Sequence, residues 1–507
     1  MRGDVWRRAR QIVQALSFLV FLISIVYVGP SERKPWSALA PDTLLRLDPL
    51  AAAAAMLPQR RWVARLAPAL FVVGATLALG RFWCGWLCPL GALIDWFSPR
   101  SALGRKPPSS QWRTIKYSLL FLILFAALLG NLTLTILDPL AVFLRSLAVA
   151  ILPAFNWLVT QMEIVLYRVT FLRGFLGTVD RALRGTVLSY EQPYYGAGFL
   201  FAGLLVGILS LSFLARRAWC RYLCPLGALL GLLAKVSWIK RKVSSACVGC
   251  GLCERECTMG TIDAGEDYAS DNGECILCMR CAASCPVDAV SFARDWGMDR
   301  GRDYDPSRRH LVSMLGVAVG GWALLKIAPR AHHPDPYRLR PPGAEERALL
   351  ASCIRCGACI SVCPTHGLQP SLVEAGLEGV WTPILVPRLG ACDYACTACG
   401  EVCPTGAIPQ LALDRKQQTP IGKAYIDPRI CIPWSGRGEC IVCEEMCPLP
   451  EKAIVLEETT TEDESGEVRV LQAPVVRHDI CIGCGLCENK CPVNGEAAIR
   501  VMVDPMS

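Results

Sequence analysis

Histidine is scarce in this sequence, with five residues in a chain of 507. None lies in the apolar runs at 12–28, 62–80, 117–137 and 196–215, which excludes a haem held by two histidines inside a membrane for this chain. Charged residues make up only 19% of the chain, and the net charge of +8 lies largely beside the apolar runs, which argues against nucleic acid as a partner. A glycine-rich phosphate loop between a strand and a helix is also missing, which argues against a nucleotide-dependent partner of electron bifurcation.

Cysteine, in contrast, is abundant, with 28 residues. Most of them fall into six compact groups of four, and most groups read Cys-x-x-Cys-x-x-Cys-x-x-x-Cys, the ligand run of bacterial ferredoxins. This spacing lets neighbouring thiols surround one [4Fe–4S] cluster, whereas a disulfide scaffold does not require it and a zinc ribbon leaves thiols unused. The sequence therefore predicts six [4Fe–4S] clusters.

The first two cysteine groups predict a two-cluster ferredoxin domain at 243–300. In such domains the fourth cysteine of each run ligates the other cluster. The predicted ligand sets are Cys247, Cys250, Cys253 and Cys285 for one cluster, and Cys275, Cys278, Cys281 and Cys257 for the other.

The remaining four cysteines belong to an internal repeat within residues 1–242. WCGWLCPLGAL at 83–93 returns as WCRYLCPLGAL at 219–229, and LDPLA occurs at 47–51 and 137–141. Two repeats of the same topology are expected to bring four thiols face to face, as one further redox site or cluster. Packing as small apolar residues and thiol–disulfide switching are the alternatives. The thiols concerned are those of Cys84, Cys88, Cys220 and Cys224.

The LDPLA copies contain one aspartate each, Asp48 and Asp138, directly before a proline. An Asp-Pro step is a common turn device, and this interpretation is preferred for both residues. The alternative is a carboxylate that accepts a proton from quinol near the outer face of the membrane.

The apolar runs predict an α-helical membrane bundle of about five spans with an internal two-span repeat. Arginines before the first run and a basic cluster at 216–242 place the N-terminus and both cysteine motifs on the cytoplasmic side. The loop at 138–195 then lies outside, with an interfacial or re-entrant helix near 141–160 that Pro153 interrupts.

The fifth predicted span, 311–328, comes directly after Ser307, Arg308 and Arg309 and the histidine at 310. A serine with twin arginines before a moderately apolar segment resembles a twin-arginine export signal, and an ordinary basic flank is the alternative. Residues 301–343 are therefore assigned as a membrane crossing and linker, and the remainder of the chain is assigned to the outside of the cytoplasm.

Residues 344–507 form the second predicted ferredoxin domain, with four further cysteine runs that all end in Cys-Pro. No motif of a substrate pocket competes for this segment, which predicts a wire of clusters. The fold class is thus a helical membrane bundle with α+β bacterial ferredoxin-like domains, one on each side of the membrane.

The sequence resembles known families over both halves. Residues 1–300, with the repeated Cys-x-x-x-Cys-Pro motif and the two-cluster tail, resemble the NapH family of quinol dehydrogenase membrane subunits. Residues 307–507 resemble NapG and MauM, exported four-cluster ferredoxins, through CIRCGACISVCP, CTACGEVCPTGAI, CIPWSGRGECIVCEEMCP and CIGCGLCENKCP. The chain therefore looks like a fusion of both halves of one quinol-oxidising module.

The resemblance implies nested pairing of the four exported runs, the first with the fourth and the second with the third, although sequential pairing fits the spacing too. The implied sets are Cys353, Cys356, Cys359 with Cys491; Cys481, Cys484, Cys487 with Cys363; Cys392, Cys396, Cys399 with Cys447; and Cys431, Cys440, Cys443 with Cys403.

The resemblance further implies electron transfer from membrane quinol to an extracytoplasmic multihaem cytochrome or terminal reductase of anaerobic respiration. The chain would be a multi-pass protein of a bacterial inner membrane, with 243–300 cytoplasmic and 330–507 periplasmic. A related family of nitrous-oxide-reductase activators carries a flavin domain, but no threonine-centred flavin attachment motif precedes the first span here, so flavin is not predicted. The alternative function is a factor that matures or reactivates an exported metalloenzyme.

Overall fold

The structure is a computed structural model of the chain. It describes residues 2–26, 42–99, 110–184, 188–295 and 336–503, apart from 373 and 463–467, together with a few isolated positions between 312 and 320. The predicted crossing at 311–328 therefore lies outside the described residues except for those positions.

The helices of the described part are mostly short. In chain order they are α1 (Arg2–Val26), α2 (Thr43–Arg46), α3 (Pro49–Gln59), α4 (Ala69–Leu79), α5 (Phe82–Trp86), α6 (Pro89–Phe97), α7 (Thr114–Leu128), α8 (Pro139–Ser146), α9 (Leu152–Leu166), α10 (Arg173–Leu183), α11 (Gly198–Ser210), α12 (Pro225–Ala234), α13 (Leu252–Glu256), α14 (Arg280–Ala283), α15 (Glu346–Ser352), α16 (Ala358–Ser361), α17 (Gly376–Gly379), α18 (Ala398–Glu401), α19 (Leu413–Gln418), α20 (Val442–Glu445) and α21 (Leu486–Lys490).

The strands pair as small antiparallel ribbons. In chain order they are β1 (Ile239–Val243), β2 (Ile262–Asp263), β3 (Ala269–Ser270), β4 (Val290–Arg294), β5 (Leu368–Pro370), β6 (Pro383–Leu385), β7 (Lys423–Ile426), β8 (Ile454–Glu462), β9 (Val468–Val476) and β10 (Ile499–Met502). The pairs are β1 with β4, β2 with β3, β5 with β6, β7 with β10 and β8 with β9.

The chain divides into two compact units. The first comprises Met1–Tyr27, Lys34–Ile151 and Gly198–Leu325, so its described part holds the repeat and the ferredoxin module with strands β1 to β4. The second combines Leu152–Ala197, with α9 and α10, and Lys326–Ser507, with the four-run ferredoxin domain. Most of the long loop predicted at 138–195 therefore packs with that domain.

Four helices of the first unit begin alike, with proline at the first helical position and the preceding side chain as a cap. Oδ1 of Asp48 accepts two backbone N–H groups of α3 at 2.8 and 3.2 Å, and Oδ1 of Asp138 accepts two of α8 at 2.9 and 3.0 Å. The Sγ atoms of Cys88 and Cys224 each accept one N–H, of α6 at 3.4 Å and of α12 at 3.2 Å. Because proline lacks an N–H and the first turn lacks acceptors, Asp-Pro and Cys-Pro both start helices here, which confirms the turn interpretation of the aspartates.

Two described helices are long and apolar enough to cross a bilayer, which needs ~20 residues. They are Val5–Ile25 and Pro139–Leu166. Three other predicted spans form shorter apolar helices, partly because Gly80 and Gly130 take positive φ angles of 77° and 80° at their ends. The bundle of about five spans thus stays a prediction; the shorter helices are Ala64–Leu79, Thr114–Leu128 and Gly198–Phe213.

The predicted interruption at Pro153 is wrong. The helical run Pro139–Leu166 continues through this proline because a π-helical turn, Leu147–Ile151, lies just before it. Such a wide turn absorbs the missing N–H of proline and the clash of its ring with the preceding turn.

Candidate iron–sulfur sites

The four cysteines of the repeat meet in the core of the first unit. Each thiol is buried, and Cys224 lies close enough to the other three for them to affect its ionisation. Cys88 is affected in the same way by Cys84 and Cys220. The structure therefore brings together the thiols that the repeat predicted to be face to face.

Two buried arginines, Arg81 and Arg217, stand three residues before the first cysteine of each motif. Arg217 Nη1 donates to the carbonyl oxygen of Cys84 at 3.0 Å, which joins the second repeat to the first. Arg81 lies beside Gly227, where a Cβ would stand 2.8 Å from Nη2 of the arginine and 3.3 Å from the Sγ atom of Cys224. Nη2 of Arg81 has no hydrogen-bond acceptor in the described part of the chain, so a positive donor is buried beside the thiols and unsatisfied.

The two-run ferredoxin module packs directly against this thiol site. A Cβ at Gly85, the neighbour of Cys84, would overlap the carbonyl oxygen of Ile276, the neighbour of Cys275. Trp86 Nε1 donates to the carbonyl oxygen of Leu277 at 3.0 Å. The backbone of one cysteine motif and the loop of a ferredoxin run are thus in contact.

Glu274 fixes that loop. Its Oε2 atom accepts from Arg81 Nη1 at 2.8 Å and from Lys116 Nζ at 2.5 Å, and its Oε1 accepts from the hydroxyl of Tyr117 at 2.7 Å. Although burial alone would raise it, Lys116 and Arg81 hold the pKa of Glu274 at about 2. The carboxylate therefore stays ionised in the folded protein, where it neutralises buried basic groups. Sequence reasoning missed it, because a lone glutamate before a cysteine carries no motif.

The thiols of the first ferredoxin module group as predicted for one cluster. Residues Cys257, Cys275, Cys278 and Cys281 line one cavity, so the fourth cysteine of the first run joins the second run. The other predicted set is more open, since Cys247 and Cys250 are exposed.

The four runs of the second unit pair consecutively, which corrects the nested pairing implied by the family resemblance. One cavity is lined by Cys403 together with Cys353, Cys356 and Cys359, and another by Cys491 together with Cys431, Cys440 and Cys443. The thiol of Cys363 lies near those of Cys392, Cys396 and Cys399, so the fourth cysteine of the first run joins the second run. The thiol of Cys447, the last of the third run, likewise lies near that of Cys484 in the fourth run.

The reason for consecutive pairing lies in the segments between runs. Gly367, shortly after the first run, packs so closely on the backbone of Gly390, just before the second, that a Cβ would overlap its carbonyl oxygen. The ribbon of β5 and β6 lies between these glycines, and the ribbon of β8 and β9 likewise joins the third and fourth runs. The first run is thereby brought back against the second, and the third run against the fourth.

The cavities suit a cluster better than a single ion. In the described residues, no three histidine, cysteine, aspartate or glutamate side chains converge as the ligands of one metal ion would. Four thiols instead surround a cavity, as a multinuclear [4Fe–4S] group requires. Burial raises the pKa of Cys392 to about 12 and of Cys484 to about 11, so these thiols depend on bound iron for their ionised form.

A half-buried histidine, His366, anchors the segment 188–195 to the second unit. The Nε2 atom of His366 lies 3.1 Å from the hydroxyl of Ser189, and its Nδ1 atom lies 3.3 Å from the hydroxyl of Tyr195. Burial lowers the pKa of His366, so the ring is neutral and uses one nitrogen as donor and the other as acceptor. His366 follows Cys363 by three residues, which puts this segment beside a cysteine run. No pattern in the sequence indicated this contact.

Comparison with protein families agrees with these sites. Models described as a 4Fe-4S binding domain match 62–108 and 197–245, which contain the four repeat cysteines, and also 244–260 and 474–495. Models described as a 4Fe-4S dicluster domain match 267–364 and 352–408. The last range covers the first two runs of the second unit together, in agreement with their consecutive pairing.

The chain is thus a multi-cluster iron–sulfur protein of the ferredoxin type. It is 37% identical over 207 residues to the methylamine utilization ferredoxin-type protein MauM of Methylorubrum extorquens, which covers 39% of this chain and 89% of that protein. It is 34% identical over 194 residues to the ferredoxin-type protein NapG of Escherichia coli, which covers 38% of this chain and 79% of that protein. The chain belongs to this family of ferredoxin-type proteins. No solved structure gives a significant match.

Proposed function

We propose that this chain is a membrane-bound electron-transfer protein that oxidises quinol and passes the electrons to an extracytoplasmic cytochrome or terminal reductase. In this proposal a NapH-like membrane half, residues 1–242, is fused to a two-cluster domain at 243–300 and a MauM/NapG-like domain at 344–507. The crossing at 301–343 joins the two halves.

The observation that carries the proposal is the contact between Gly85 and Ile276. It joins the repeat motif of Cys84 to the ferredoxin run of Cys275 through adjoining backbone. When bound, [4Fe–4S] clusters accept and donate single electrons. The buried thiols of both sets would hold such groups within one packed core, which favours electron exchange between them.

A contact within the second unit supports the proposal that the four-run domain lies on the extracytoplasmic side. The segment 188–195, which lies just before α11, packs on the four-run domain through His366. The charge pattern predicts the extracytoplasmic side for the loop that contains 188–195, and the twin-arginine-like crossing at 311–328 predicts the same side for the four-run domain. The packing of the two pieces together supports a common side. The two-run module packs instead on the cysteine motifs assigned to the cytoplasmic side.

We propose seven cluster sites. The ligand sets are Cys84, Cys88, Cys220 and Cys224; Cys247, Cys250, Cys253 and Cys285; Cys257, Cys275, Cys278 and Cys281; Cys353, Cys356, Cys359 and Cys403; Cys363, Cys392, Cys396 and Cys399; Cys431, Cys440, Cys443 and Cys491; and Cys447, Cys481, Cys484 and Cys487. Anaerobically purified protein should then contain about 28 iron atoms per chain, against about 24 if the repeat cysteines hold none.

Reduction by a quinol tests the function. The full chain in detergent is mixed with a menaquinol analogue, and cluster signals are followed by electron paramagnetic resonance. Rapid reduction is expected, and it should be lost in the double variant Cys88→Ser, Cys224→Ser. The matched control Cys250→Ser alters an exposed ferredoxin thiol and should keep the reduction of the other clusters. Clusters that are present but not reduced would contradict quinol oxidation and favour maturation of an exported metalloenzyme.

The consecutive pairing of runs has its own test in iron content. The double variant Cys353→Ala, Cys403→Ala should lose about four iron atoms, since both thiols line one cavity. The double variant Cys353→Ala, Cys491→Ala should lose about eight, because it damages two sites. The opposite order of losses would restore the nested pairing.

A further inference from the structure

Arg241 of β1 lines the cavity of a proposed cluster site in the first ferredoxin module. The thiols that line this cavity are those of Cys257, Cys275, Cys278 and Cys281. Arg241 stands opposite Phe292 in the ribbon of β1 and β4, and Phe292 lines the same cavity. The arginine is only 8% exposed, and it is the one charged side chain among the described residues that line the cavity. A buried guanidinium therefore stands in the wall of a four-thiol site.

The hydrogen bonds of Arg241 account for only one of its three side-chain nitrogen atoms. Nη1 donates to the carbonyl oxygen of Tyr268 at 2.5 Å. Nε and Nη2 are buried and have no hydrogen-bond acceptor in the described part of the chain. Because buried N–H groups are rarely left unpaired, least of all on a cation, we expect their acceptor in the cavity that the side chain lines. The sulfur atoms of a [4Fe–4S] cluster carry negative charge and accept such bonds.

The two cavities described in the second unit lack a buried cation with free donors. In the cavity of Cys403, Arg355 is buried too, but its Nε, Nη1 and Nη2 atoms each donate to a backbone carbonyl oxygen, at 3.0, 3.1 and 2.6 Å. No charged side chain is among the described residues that line the cavity of Cys491. Of the three cavities, only that of Arg241 therefore combines a buried charge with unpaired N–H groups.

Backbone donors do not distinguish the sites. The N–H group of Thr261 donates to the Sγ atom of Cys257 at 3.4 Å, and that of Ile408 donates to the Sγ atom of Cys403 at 3.4 Å. Both bonds come from the turn that follows the last cysteine of a run, so they are a shared local feature. The charged side-chain donor is what sets the cavity of Arg241 apart.

We infer that Arg241 donates N–H bonds to the sulfur atoms of the cluster in its cavity and raises the reduction potential of that cluster. Reduction adds one negative charge to a cluster that is already anionic, so a buried cation stabilises the reduced form more than the oxidised form. Because Ile276, the neighbour of Cys275, contacts Gly85 of the repeat, this potential determines how readily the module draws an electron from the repeat motif. The inference rests on the proposed ligand set of this cluster and not on the oxidation of quinol.

A redox titration of the anaerobically purified full chain tests this inference, with dithionite as reductant and cluster signals followed by electron paramagnetic resonance. Arg241→Lys keeps the positive charge but has one nitrogen in place of three, so it is expected to fold and to lower the potential of one cluster. Arg241→Met removes the charge as well, and it should lower the equilibrium constant for reduction of that cluster about tenfold, ~59 mV. The matched control is Arg355→Lys, which should cost stability but leave every potential unchanged, because the nitrogens of Arg355 already have backbone acceptors.

An isotope label on the guanidinium nitrogens of arginine gives a direct readout. Pulsed electron paramagnetic resonance of the reduced protein should show a coupling between a cluster and an arginine nitrogen, lost in Arg241→Lys and kept in Arg355→Lys. A purely structural role of Arg241 would leave this coupling unchanged by the substitution.

Three results would overturn the inference: unchanged potentials in both Arg241 variants at the wild-type iron content, an equal shift in Arg355→Lys, or loss of the cluster from Arg241→Lys, which would assign the arginine to the fold alone. If only Arg241→Met loses iron, the shift in Arg241→Lys decides. Failure of the proposed function looks different. In that case the wild-type clusters stay oxidised with a menaquinol analogue, while the titration with dithionite still shows the shift.

Discussion

The two repeats of the first unit share one motif but neutralise their arginines in different ways. Arg217 of the second repeat donates to Asp95 of the first at 2.7 Å. Arg81 of the first repeat reaches the equivalent place in the second, where Gly231 stands instead of an aspartate. Glu274 of the ferredoxin module supplies the carboxylate there. The ferredoxin module thus supplies the carboxylate that neutralises Arg81, whereas the first repeat itself supplies the carboxylate that neutralises Arg217.

A second difference between the repeats serves the same end. Gly85 in the first motif leaves room for the backbone of Ile276, whereas the second motif has Arg221 at that position, packed against Gly260. The module packs against the first repeat where Gly85 has no side chain, and against the second repeat where the long side chain of Arg221 contacts Gly260. Symmetry at the thiols is kept, while asymmetry around them creates the docking surface.

Removing the inserted carboxylate is expected to have the largest effect. Glu274→Ala leaves Arg81 and Lys116 buried without their partner, which should cost about 3–5 kcal/mol of unfolding free energy. The second substitution Gly231→Asp, made in addition, puts the carboxylate back on the repeat but 2.8 Å from the carbonyl oxygen of Gly273 at its Cβ. It should restore stability to the repeat and leave the module undocked. Denaturant unfolding and hydrogen exchange at 271–279 measure the two effects, and simultaneous recovery of both would contradict the comparison.

Acid should reveal the same interaction. The pKa of Glu274 is about 2 in the folded protein, against an ordinary value of 4.5. Its stabilisation is therefore complete above about pH 4.5 and is lost as the pH falls towards 2, on the order of 3 kcal/mol in total. The difference in unfolding free energy between wild type and Glu274→Gln should stay constant from neutral pH down to about pH 4.5 and narrow as the pH falls further towards 2. A difference that stays constant below that pH as well would mean that Glu274 is not held ionised.

Filling the space at Gly85 should have a smaller effect. Gly85→Val places atoms where the carbonyl oxygen of Ile276 lies, and overpacking of this kind costs about 1–3 kcal/mol. The matched control is Gly74→Val, since a Cβ there meets no atom within 4 Å. Hydrogen exchange at 275–278 should rise in the first variant alone. Equal exchange in both would show that the contact does not position the ferredoxin loop.

The smallest expected effect concerns one hydrogen bond. Trp86→Phe removes the donor to the carbonyl oxygen of Leu277 and should cost about 1–2 kcal/mol. Trp62→Phe, at a side chain that is 59% exposed, provides the control and should be nearly neutral. Thermal unfolding of the two variants in detergent compares them, and equal losses would remove Trp86 from the docking surface.

The sequence was most informative where spacing determines proximity. The repeat predicted that Cys88 and Cys224 meet, and the ferredoxin spacing predicted that Cys257 joins the run of Cys275, because in both cases a short local pattern sets the direction of the chain. The Asp-Pro steps likewise predicted local turn positions at Asp48 and Asp138, and the structure shows that each is the cap of a helix that begins at the following proline.

The sequence was less informative where contacts depend on distant backbone. The pairing of Cys403 with the first run depends on the close approach of Gly367 and Gly390, which no spacing announces. The partners of Glu274 and His366 lie more than a hundred residues away, so no local signal exists for either. Contacts such as that between Glu274 and Arg81 form only when the whole chain is folded, so no single segment of the sequence predicts them.

The place of Glu274 also links iron supply to the biogenesis of the whole first unit. Glu274 directly precedes Cys275, so the binding free energy that orders this cysteine loop also seats the carboxylate between Arg81 and Lys116. Without metal the loop loses that source of order, and two basic groups in the core lose their counterion. An iron-starved cell would therefore meet this chain as a misfolded protein, to be removed by proteases, and not as an intact protein that merely lacks its clusters.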